Sequence, residues 1–390
     1  MNDPGGKLHI RLDPDGVTIA STRPLRAAGL LVGRGIAETP RRLSSLFSVC
    51  AAAQATACVA AIEQALGLNT DPEVQARRQR LVAAETLREH LWRILLDWPG
   101  VLGEPPQADA MALVMAGHGA WQAALGGGVD LYRPGAAIPM SDGYEGTPPP
   151  RDLAALVTRQ VFGLDPARWR QQVEGLDDLS DWAVRTPTTA ARLVHSVIDA
   201  GWAGLGRSRV DALPPPRASD LDRHLSGQDQ AVDAFVAGPT WEGRARETSP
   251  LTRQQDQPLV QDLKYRFGNG LLARLAAQLT EAARIMTADG ATLAGPPPAP
   301  AGLLDGLPAG IGLAMIHAAR GLLVHRVRVN GERIADYRIL APTEWNFHPQ
   351  GVVAAGLAGL MAEAPAADLG RLAHLFITAV DPCVDFELQQ

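Results

Sequence analysis

The sequence predicts an α+β protein that is mostly helical, with small β-hairpins near both ends of the chain. Two observations favour this fold class: long segments with the periodicity or composition of helices, and two turn sequences flanked by alternating residues. The 390 residues are 46% hydrophobic and 20% charged, a globular composition with enough apolar mass for a large core.

The first hairpin is predicted at 9–21, where alternating residues flank the turn sequence Asp13-Pro14-Asp15-Gly16. A helix is predicted at 51–66, directly after Cys50. Its residues are small and aliphatic on every side, which is typical of a buried helix.

The remaining helices are inferred from periodicity and from the glycines and prolines that bound them. The predicted ranges are 72–98, 108–125, 151–162, 187–201, 219–237, 259–288, 351–361 and 369–380. Three proline clusters, at 148–150, 214–216 and 296–298, are interpreted as loops rather than domain linkers. The clearest hairpin is 324–340, where alternating residues surround Asn330-Gly331, the strongest two-residue turn signal.

Composition and charge exclude several classes of protein. The formal net charge of −6 gives no basic surface for nucleic acid, and no apolar run reaches the length of a membrane-spanning helix. The first residues lack the layout of a signal peptide, so we expect a cytoplasmic protein that binds neither nucleic acid nor membrane. Three cysteines without CxxC spacing argue against a disulfide framework or a structural zinc site.

Two segments near the chain ends contain cysteines in the remains of a metal-binding pattern. Each looks like half of a motif with a CxxC pair and a trailing histidine, in which one cysteine is now phenylalanine and the histidine is glutamine. The segments are Phe47-Ser48-Val49-Cys50-Ala51-Ala52-Ala53-Gln54 and Asp381-Pro382-Cys383-Val384-Asp385-Phe386-Glu387-Leu388-Gln389. Because thiolates are strong, soft ligands, Cys50 and Cys383 are the first candidates for metal ligands.

These segments resemble the large subunit of nickel-iron hydrogenases, in which four such cysteines bind a nickel ion and an Fe(CN)2(CO) unit. Further segments match that family in the same order along the chain. They are Gly6-Lys7-Leu8-His9-Ile10-Arg11-Leu12, Gly33-Arg34 with Pro40, Ala319-Arg320-Gly321-Leu322-Leu323-Val324-His325 and Ala341-Pro342-Thr343-Glu344-Trp345-Asn346-Phe347. The resemblance implies a nickel-iron hydrogenase large-subunit-like helical core.

It also implies a single structural unit over 1–390, because Cys50 and Cys383 would have to meet in one site. Residues 1–100 and 310–390 would form the cofactor-site region. Residues 101–309 would form a helical middle with proline-rich loops, shorter than in the enzymes.

The chain departs from the enzymes at positions that matter for catalysis. Gly5 stands where the family has a proton-transferring glutamate, and two of the four metal cysteines are absent. In these respects the sequence resembles the HupK/HoxV-type hydrogenase maturation proteins. That resemblance implies a non-enzymatic scaffold that carries the Fe(CN)2(CO) group, or its assembly intermediate, without nickel. It would receive this group from HypC–HypD-type maturation proteins and pass it to the nickel-iron hydrogenase large-subunit precursor.

Two thiols would hold the iron. Cys50 lies where a helix begins, and a helix N-terminus lowers the pKa of a thiol. Cys383 follows Asp381-Pro382, and the proline restricts the backbone that presents the thiol. Cys50 matches a bridging position of the family and Cys383 a nickel-only position. The iron would therefore be displaced toward Cys383, or be held by one thiolate with weaker contacts.

A buried structural cysteine is the alternative interpretation of both residues. Cys58 is interpreted as a packed core thiol, because eight residues of helix place it about 12 Å from Cys50 along the axis.

The resemblance places Arg320 and Thr343 against the cyanides, whose nitrogen atoms need hydrogen-bond donors. Pro342 and Leu323 would line an apolar wall for the CO. A surface salt bridge is the alternative role for Arg320.

His325 and Asp381 complete the candidate site. His325 resembles a family position near the metals, with local hydrogen bonding as its alternative role. Asp381 would pair with Arg320 or cap a turn. The alternative function is a metal-free structural or binding protein with a hydrogenase large-subunit fold. A redox enzyme with an altered site is disfavoured by the missing glutamate and cysteines.

Overall fold

The computed structural model describes residues 5–138, 147–287 and 307–390. Within these ranges six strands form two three-stranded sheets, in the orders β2-β1-β6 and β3-β4-β5. The strands are β1 (Lys7–Asp13), β2 (Gly16–Ser21), β3 (Ile311–Ala318), β4 (Gly321–Asn330), β5 (Arg333–Leu340) and β6 (Asp385–Gln389). Helices dominate the other described residues, which confirms the mostly helical α+β class.

The helices surround a core that runs through most of the chain. They are α1 (Thr39–Leu46), α2 (Ala51–Ala65), α3 (Pro72–Trp92), α4 (Trp98–Val101), α5 (Ala108–Gly126), α6 (Arg151–Val157), α7 (Pro166–Gln172), α8 (Leu176–Arg185), α9 (Thr189–Asp199), α10 (Ala218–Leu225), α11 (Asp229–Ala237), α12 (Pro250–Arg253), α13 (Pro258–Phe267), α14 (Leu271–Ile285), α15 (Pro342–Asn346), α16 (Val352–Glu363) and α17 (Leu369–Val380). π-Helical segments at Arg93–Asp97 and Thr158–Phe162 extend α3 and α6.

Most predicted helices are confirmed, but two are divided. The 259–288 prediction breaks into α13 and α14 at Gly268, whose φ of 66° no helix accommodates. The 219–237 prediction breaks into α10 and α11 around Gly227, which has a φ of 131°. Residue 288 and the proline cluster at 296–298 lie outside the described residues.

The helices α1, α7, α8, α12 and α15 are absent from the sequence prediction. None is longer than ten residues, so each depends on tertiary packing more than on a repeated pattern.

The two ends of the chain meet in the first sheet. The β1–β2 hairpin confirms the prediction at 9–21, and β6 pairs in parallel with β1, with Ile10 opposite Leu388. The sequence prediction missed β6, because five residues with half-buried alternation are a weak signal. Lys7 reinforces the pairing through ion pairs with Asp385 at 3.2 Å and Glu387 at 2.9 Å. The chain therefore returns to its start immediately after Cys383.

The second sheet supports the helix that follows Cys50. The β4–β5 hairpin confirms the predicted turn, in which Gly331 has a φ of 59°. The preceding strand β3, which the sequence prediction missed, packs against α2 at Gly312, where an added Cβ would lie 1.8 Å from the Ala61 carbonyl oxygen. The Leu313 amide donates a 2.6 Å hydrogen bond to Gln64 Oε1.

Helix α2 is buried on nearly every side, as its composition predicts. Among the residues that the structure describes, no single helix is long and apolar enough to cross a bilayer. Only the pair Thr39–Leu46 and Ser48–Ala65, bent by 114°, passes that test when the two are counted together.

The close approach of Gly312 to α2 gives a prediction for stability. Gly312→Ala should lower the free energy of unfolding by about 2 kcal/mol or more, because the methyl group overlaps the Ala61 carbonyl. Gly119→Ala, on an exposed part of α5 with open space, should instead stabilise the protein by about 1 kcal/mol. Denaturant unfolding measures both, and equal stability of Gly312→Ala and wild type would contradict the packing.

Candidate functional site

A cleft of about 890 Å³ lies where the two ends of the chain meet. Cys50 and Cys383, both partly exposed, line it. So do Phe47, Phe386 and Gly5, the residues at which the sequence resemblance predicts a departure from the hydrogenases. The structure thus brings both halves of the altered motif to one cavity.

Cys50 is positioned by the start of α2. Its amide donates a hydrogen bond to the Phe47 carbonyl at 3.2 Å, and Gln54 Nε2 lies 3.6 Å from its Sγ atom. The carboxylate of Glu85 on α3 accepts hydrogen bonds from the amides of Ala52 at 2.7 Å and Ala53 at 3.1 Å. Glu85 therefore already accepts from the N–H groups that would otherwise stabilise an anion at the start of α2.

The expected lowering of the Cys50 pKa is wrong. Burial raises the pKa of the Cys50 thiol to about 12, and Cys383 and Glu85 raise it further against the opposing charge of Arg320. Burial also raises the pKa of Glu85 to about 7. At neutral pH the free Cys50 is a neutral thiol, so a metal that binds it must displace a proton.

Cys383 is held by Thr343 at the start of α15. The Thr343 hydroxyl donates to Cys383 Sγ at 3.1 Å, and it accepts from the Cys383 amide at 3.2 Å. This pair of hydrogen bonds places a proton donor beside the sulfur.

Arg320 lies buried behind the two cysteines. Its Nη2 donates to Glu89 Oε2 at 2.7 Å, and its Nε lies 3.1 Å from the Pro382 carbonyl oxygen and 3.2 Å from Asp381 Oδ1. Burial alone would lower the pKa of Arg320, but Asp381, Glu89 and Cys383 raise it above its usual value. Arg320 therefore stays charged at the wall of the cleft.

Asp381 links this arginine to the π-helical segment that extends α3. Arg93 donates to Asp381 Oδ1 from Nε at 3.0 Å and from Nη2 at 2.5 Å. Burial would raise the pKa of Asp381, but Arg320 and Arg93 hold it below its usual value. Asp381 has a φ of 65°, which is unusual for a residue other than glycine, and this turn redirects the chain from α17 to Cys383.

Apolar side chains also line the cleft. Leu323 and Pro342 both line the cleft, together with Ala318, Ile339 and Ala341.

His325 lies apart from the residues that line the cleft. It is buried in β4, where its Nδ1 atom is 2.9 Å from the hydroxyl of Tyr337 on β5. Burial lowers the pKa of His325 to about 3. Tyr337 is also hydrogen-bonded to the thiol of Cys58. Cys58 is fully buried in the same apolar cluster as Tyr337, as expected of a packed core thiol. This position favours the local role for His325.

The sequence analysis missed the acidic and basic residues of α3 and its π-helical extension that organise the site. Glu85, Glu89 and Arg93 are spaced by four, so they share one face of the helix. Charged residues that recur on the buried side of an amphipathic helix are the sequence feature that could have indicated these residues. Arg23, which lines the cleft after β2, had no local signal.

Within the described ranges, no three His, Cys, Asp or Glu side chains are grouped so as to hold a metal ion. A metal held by Cys50 and Cys383 would therefore need further ligands from outside this set of side chains.

The burial of His325 predicts an effect of pH on stability. Its pKa falls from 6.5 to about 3 on folding, so stability that is present above pH 6.5 is lost as the pH falls toward 3. Between pH 7 and 5 this loss should be about 2 kcal/mol, and His325→Leu should remove it. His195→Leu, at an exposed position, is the control. Unfolding curves at both pH values test this, and an unchanged pH dependence in His325→Leu would contradict it.

Comparison with known proteins agrees with this fold. A model of the nickel-dependent hydrogenase family matches residues 304–385. The NiFeSe hydrogenase of D. vulgaris Hildenborough superposes with a TM-score of 0.58 at 16% identity, and the match covers 94% of this chain and 92% of that chain. This likeness confirms the hydrogenase large-subunit-like fold.

Two relatives are similar over nearly their whole length. The hydrogenase expression/formation protein HoxV of Cupriavidus necator is 33% identical over 381 residues, which cover 95% of this chain and 92% of the relative. HupK of Azotobacter vinelandii, which has the same description, is 30% identical over 390 residues and 98% of each chain. The chain therefore belongs to the HoxV/HupK family of hydrogenase expression/formation proteins.

Proposed function

We propose that this protein is a scaffold in hydrogenase maturation that holds an Fe(CN)2(CO) group, or its assembly intermediate, and passes it to the large-subunit precursor of a nickel-iron hydrogenase. It does not itself catalyse hydrogen chemistry. The observation that carries the proposal is that two thiols from opposite ends of the chain line one cleft, beside Arg320 and Thr343. The names of the relatives support the role in maturation.

The donor set suits a cargo that brings its own ligands. Two cysteines are too few to satisfy a bare metal ion, whereas Fe(CN)2(CO) already carries three ligands. Phe47 and Phe386, which the resemblance aligns with the other two cysteines of the enzymes, line the cleft and offer no donor atoms. The cleft therefore favours this iron group over a nickel-iron pair.

The residues around the thiols match the chemistry of the diatomic ligands. Arg320 uses Nε and Nη2 within the protein, and its Nη1 has no acceptor among the described residues. This donor would meet a cyanide nitrogen, and the Thr343 hydroxyl would donate to the other by exchanging its present hydrogen bond to Cys383 Sγ. Leu323 and Pro342 give the apolar contact that CO requires. Asp381 acts behind them by holding Arg320 in place.

The rim of the cleft supports the docking of other maturation proteins. Five large apolar side chains that line it are more than a third exposed, namely Leu25, Leu46, Val49, Trp92 and Met115. Such a patch is typical of an interaction surface. The HypC–HypD-type donor and the large-subunit precursor would approach the thiols from this side.

Infrared spectroscopy of anaerobically purified protein, from cells that express the maturation machinery, tests the cargo. Metal-bound CO and cyanide belong to the iron group, so one CO band and two cyanide bands are expected in wild type. Cys50→Ala and Cys383→Ala should lose them, and Cys58→Ala, which removes a thiol outside the cleft, should keep them. A silent wild-type spectrum with intact partner binding would instead favour the metal-free binding protein.

The rim gives a second prediction. A Trp92→Gln, Met115→Gln variant should bind the HypC–HypD-type complex and the precursor at least about tenfold more weakly, because an exposed tryptophan is a frequent centre of binding energy. Tyr265→Gln, at an aromatic residue that is 92% exposed outside the cleft, is the matched control. Calorimetry with purified partners measures the affinities. Wild-type affinity of the double variant would place the docking surface elsewhere.

A further inference from the structure

We propose that Arg23 is a cargo-binding residue of the cleft, which donates hydrogen bonds to an iron-bound cyanide. This inference rests on the proposed function. Neither the motifs of the sequence nor the resemblance to hydrogenases assigns a role to this residue.

The backbone of Arg23 is held firmly at the mouth of the cleft. The neighbouring Thr22 amide donates to the Lys7 carbonyl at 2.9 Å, and the Lys7 amide donates to Thr22 Oγ1 at 2.9 Å. Gly6, with a φ of 73°, packs so closely that an added Cβ would lie 2.6 Å from Arg23 Cα. Pro24 then restricts Arg23 to extended conformations. The first sheet therefore fixes the point from which this side chain extends.

The side chain of Arg23 is directed by Glu344. The two form an ion pair in which their side chains are only 12% and 10% exposed. The other carboxylate oxygen of Glu344 accepts a hydrogen bond from the Ala341 amide at 3.1 Å, within the first turn of α15. The same turn contains Thr343, the partner of Cys383. Arg23 is thus attached to the element that also holds the second thiol.

Arg23 has more available donors than the other arginines of the cleft. Glu344 contacts its Nη1, whereas its Nε and Nη2 have no acceptor among the described residues. By contrast, Arg93 uses all three nitrogens on Asp97 and Asp381, and Arg320 uses two. A guanidinium with two adjacent free donors in a cleft is a suitable partner for an anionic ligand.

Charge favours the same assignment. Burial would lower the pKa of Arg23, but Cys383, Glu344 and Cys50 together raise it above its usual value, so its charge acts on both sulfurs. The charged groups at this wall cancel in pairs: Arg88, Arg93 and Arg320 face Glu89, Asp97 and Asp381, and Arg23 faces Glu344. Two thiolates, ferrous iron and two cyanides carry two excess negative charges when added together. Arg23 would offset part of this charge locally, through the N–H groups that its pair with Glu344 leaves available.

The test compares infrared spectra and iron content after gel filtration of protein purified anaerobically with the maturation machinery. The double variant Arg23→Met, Glu344→Gln removes the cation without leaving a buried carboxylate unpaired. We expect it to shift at least one cyanide band and to retain about tenfold less iron, the order expected for a lost charged hydrogen bond. A change in the cyanide frequency is a signature that a purely structural role would not produce.

Arg26→Met is the matched control, since Arg26 lies three residues away, outside the cleft lining, and pairs with Asp229 and Asp233 on the surface. It should resemble wild type. Arg23→Lys keeps the charge and the ion pair, so it should retain iron with a shifted cyanide band even if the double variant folds poorly. Arg23 variants that fold and show the wild-type bands and iron content would overturn the role of Arg23 but not the proposed function. Wild-type protein without the bands would overturn both.

Discussion

The carboxylate of Asp381 is the interaction on which the site depends. One oxygen of this buried group accepts from Arg93, in the π-helical segment that extends α3, and contacts Arg320, which precedes β4. Arg320 in turn reaches Glu89, and Glu85 on the same face of α3 caps the helix that begins at Cys50. The turn at Asp381 delivers Cys383 and the final strand. Both thiols therefore depend on one network. Removal of one partner from such a buried network typically lowers the free energy of unfolding by about 3–5 kcal/mol.

The electrostatics of this network suit the binding of the charged cargo that we propose. The carboxyl of Glu85 occupies the helix terminus that would stabilise a Cys50 thiolate, and burial disfavours the anion further. Cys50 is thus protonated while Arg320 and Arg23 remain cationic. Binding of the proposed iron group at Cys50 would require loss of the thiol proton, which suits the proposal of a cargo held for a limited time.

The sequence was sufficient for the elements with strong local signals. Helix α2, the Asn330-Gly331 hairpin and helix α17 follow from composition, turn chemistry and periodicity. Strand β6 could not be predicted from the sequence, because its stability comes from pairing with β1, more than three hundred residues away. At the site, the motifs identified Cys50, Cys383, Arg320 and Thr343. They could not identify Arg23, whose position depends on the first sheet and whose direction depends on Glu344, or the raised pKa of Cys50, which depends on burial.

The central claim is that an iron group is bound by thiolates of this cleft. X-ray absorption at the iron edge, on protein purified anaerobically with the maturation machinery, tests it most directly, because it counts the sulfur atoms bound to iron. The account predicts low-atomic-number scatterers from the diatomic ligands with one or two sulfurs, and fewer sulfurs in Cys50→Ala or Cys383→Ala. Iron without sulfur ligands, or a sulfur count that neither substitution changes, would contradict it.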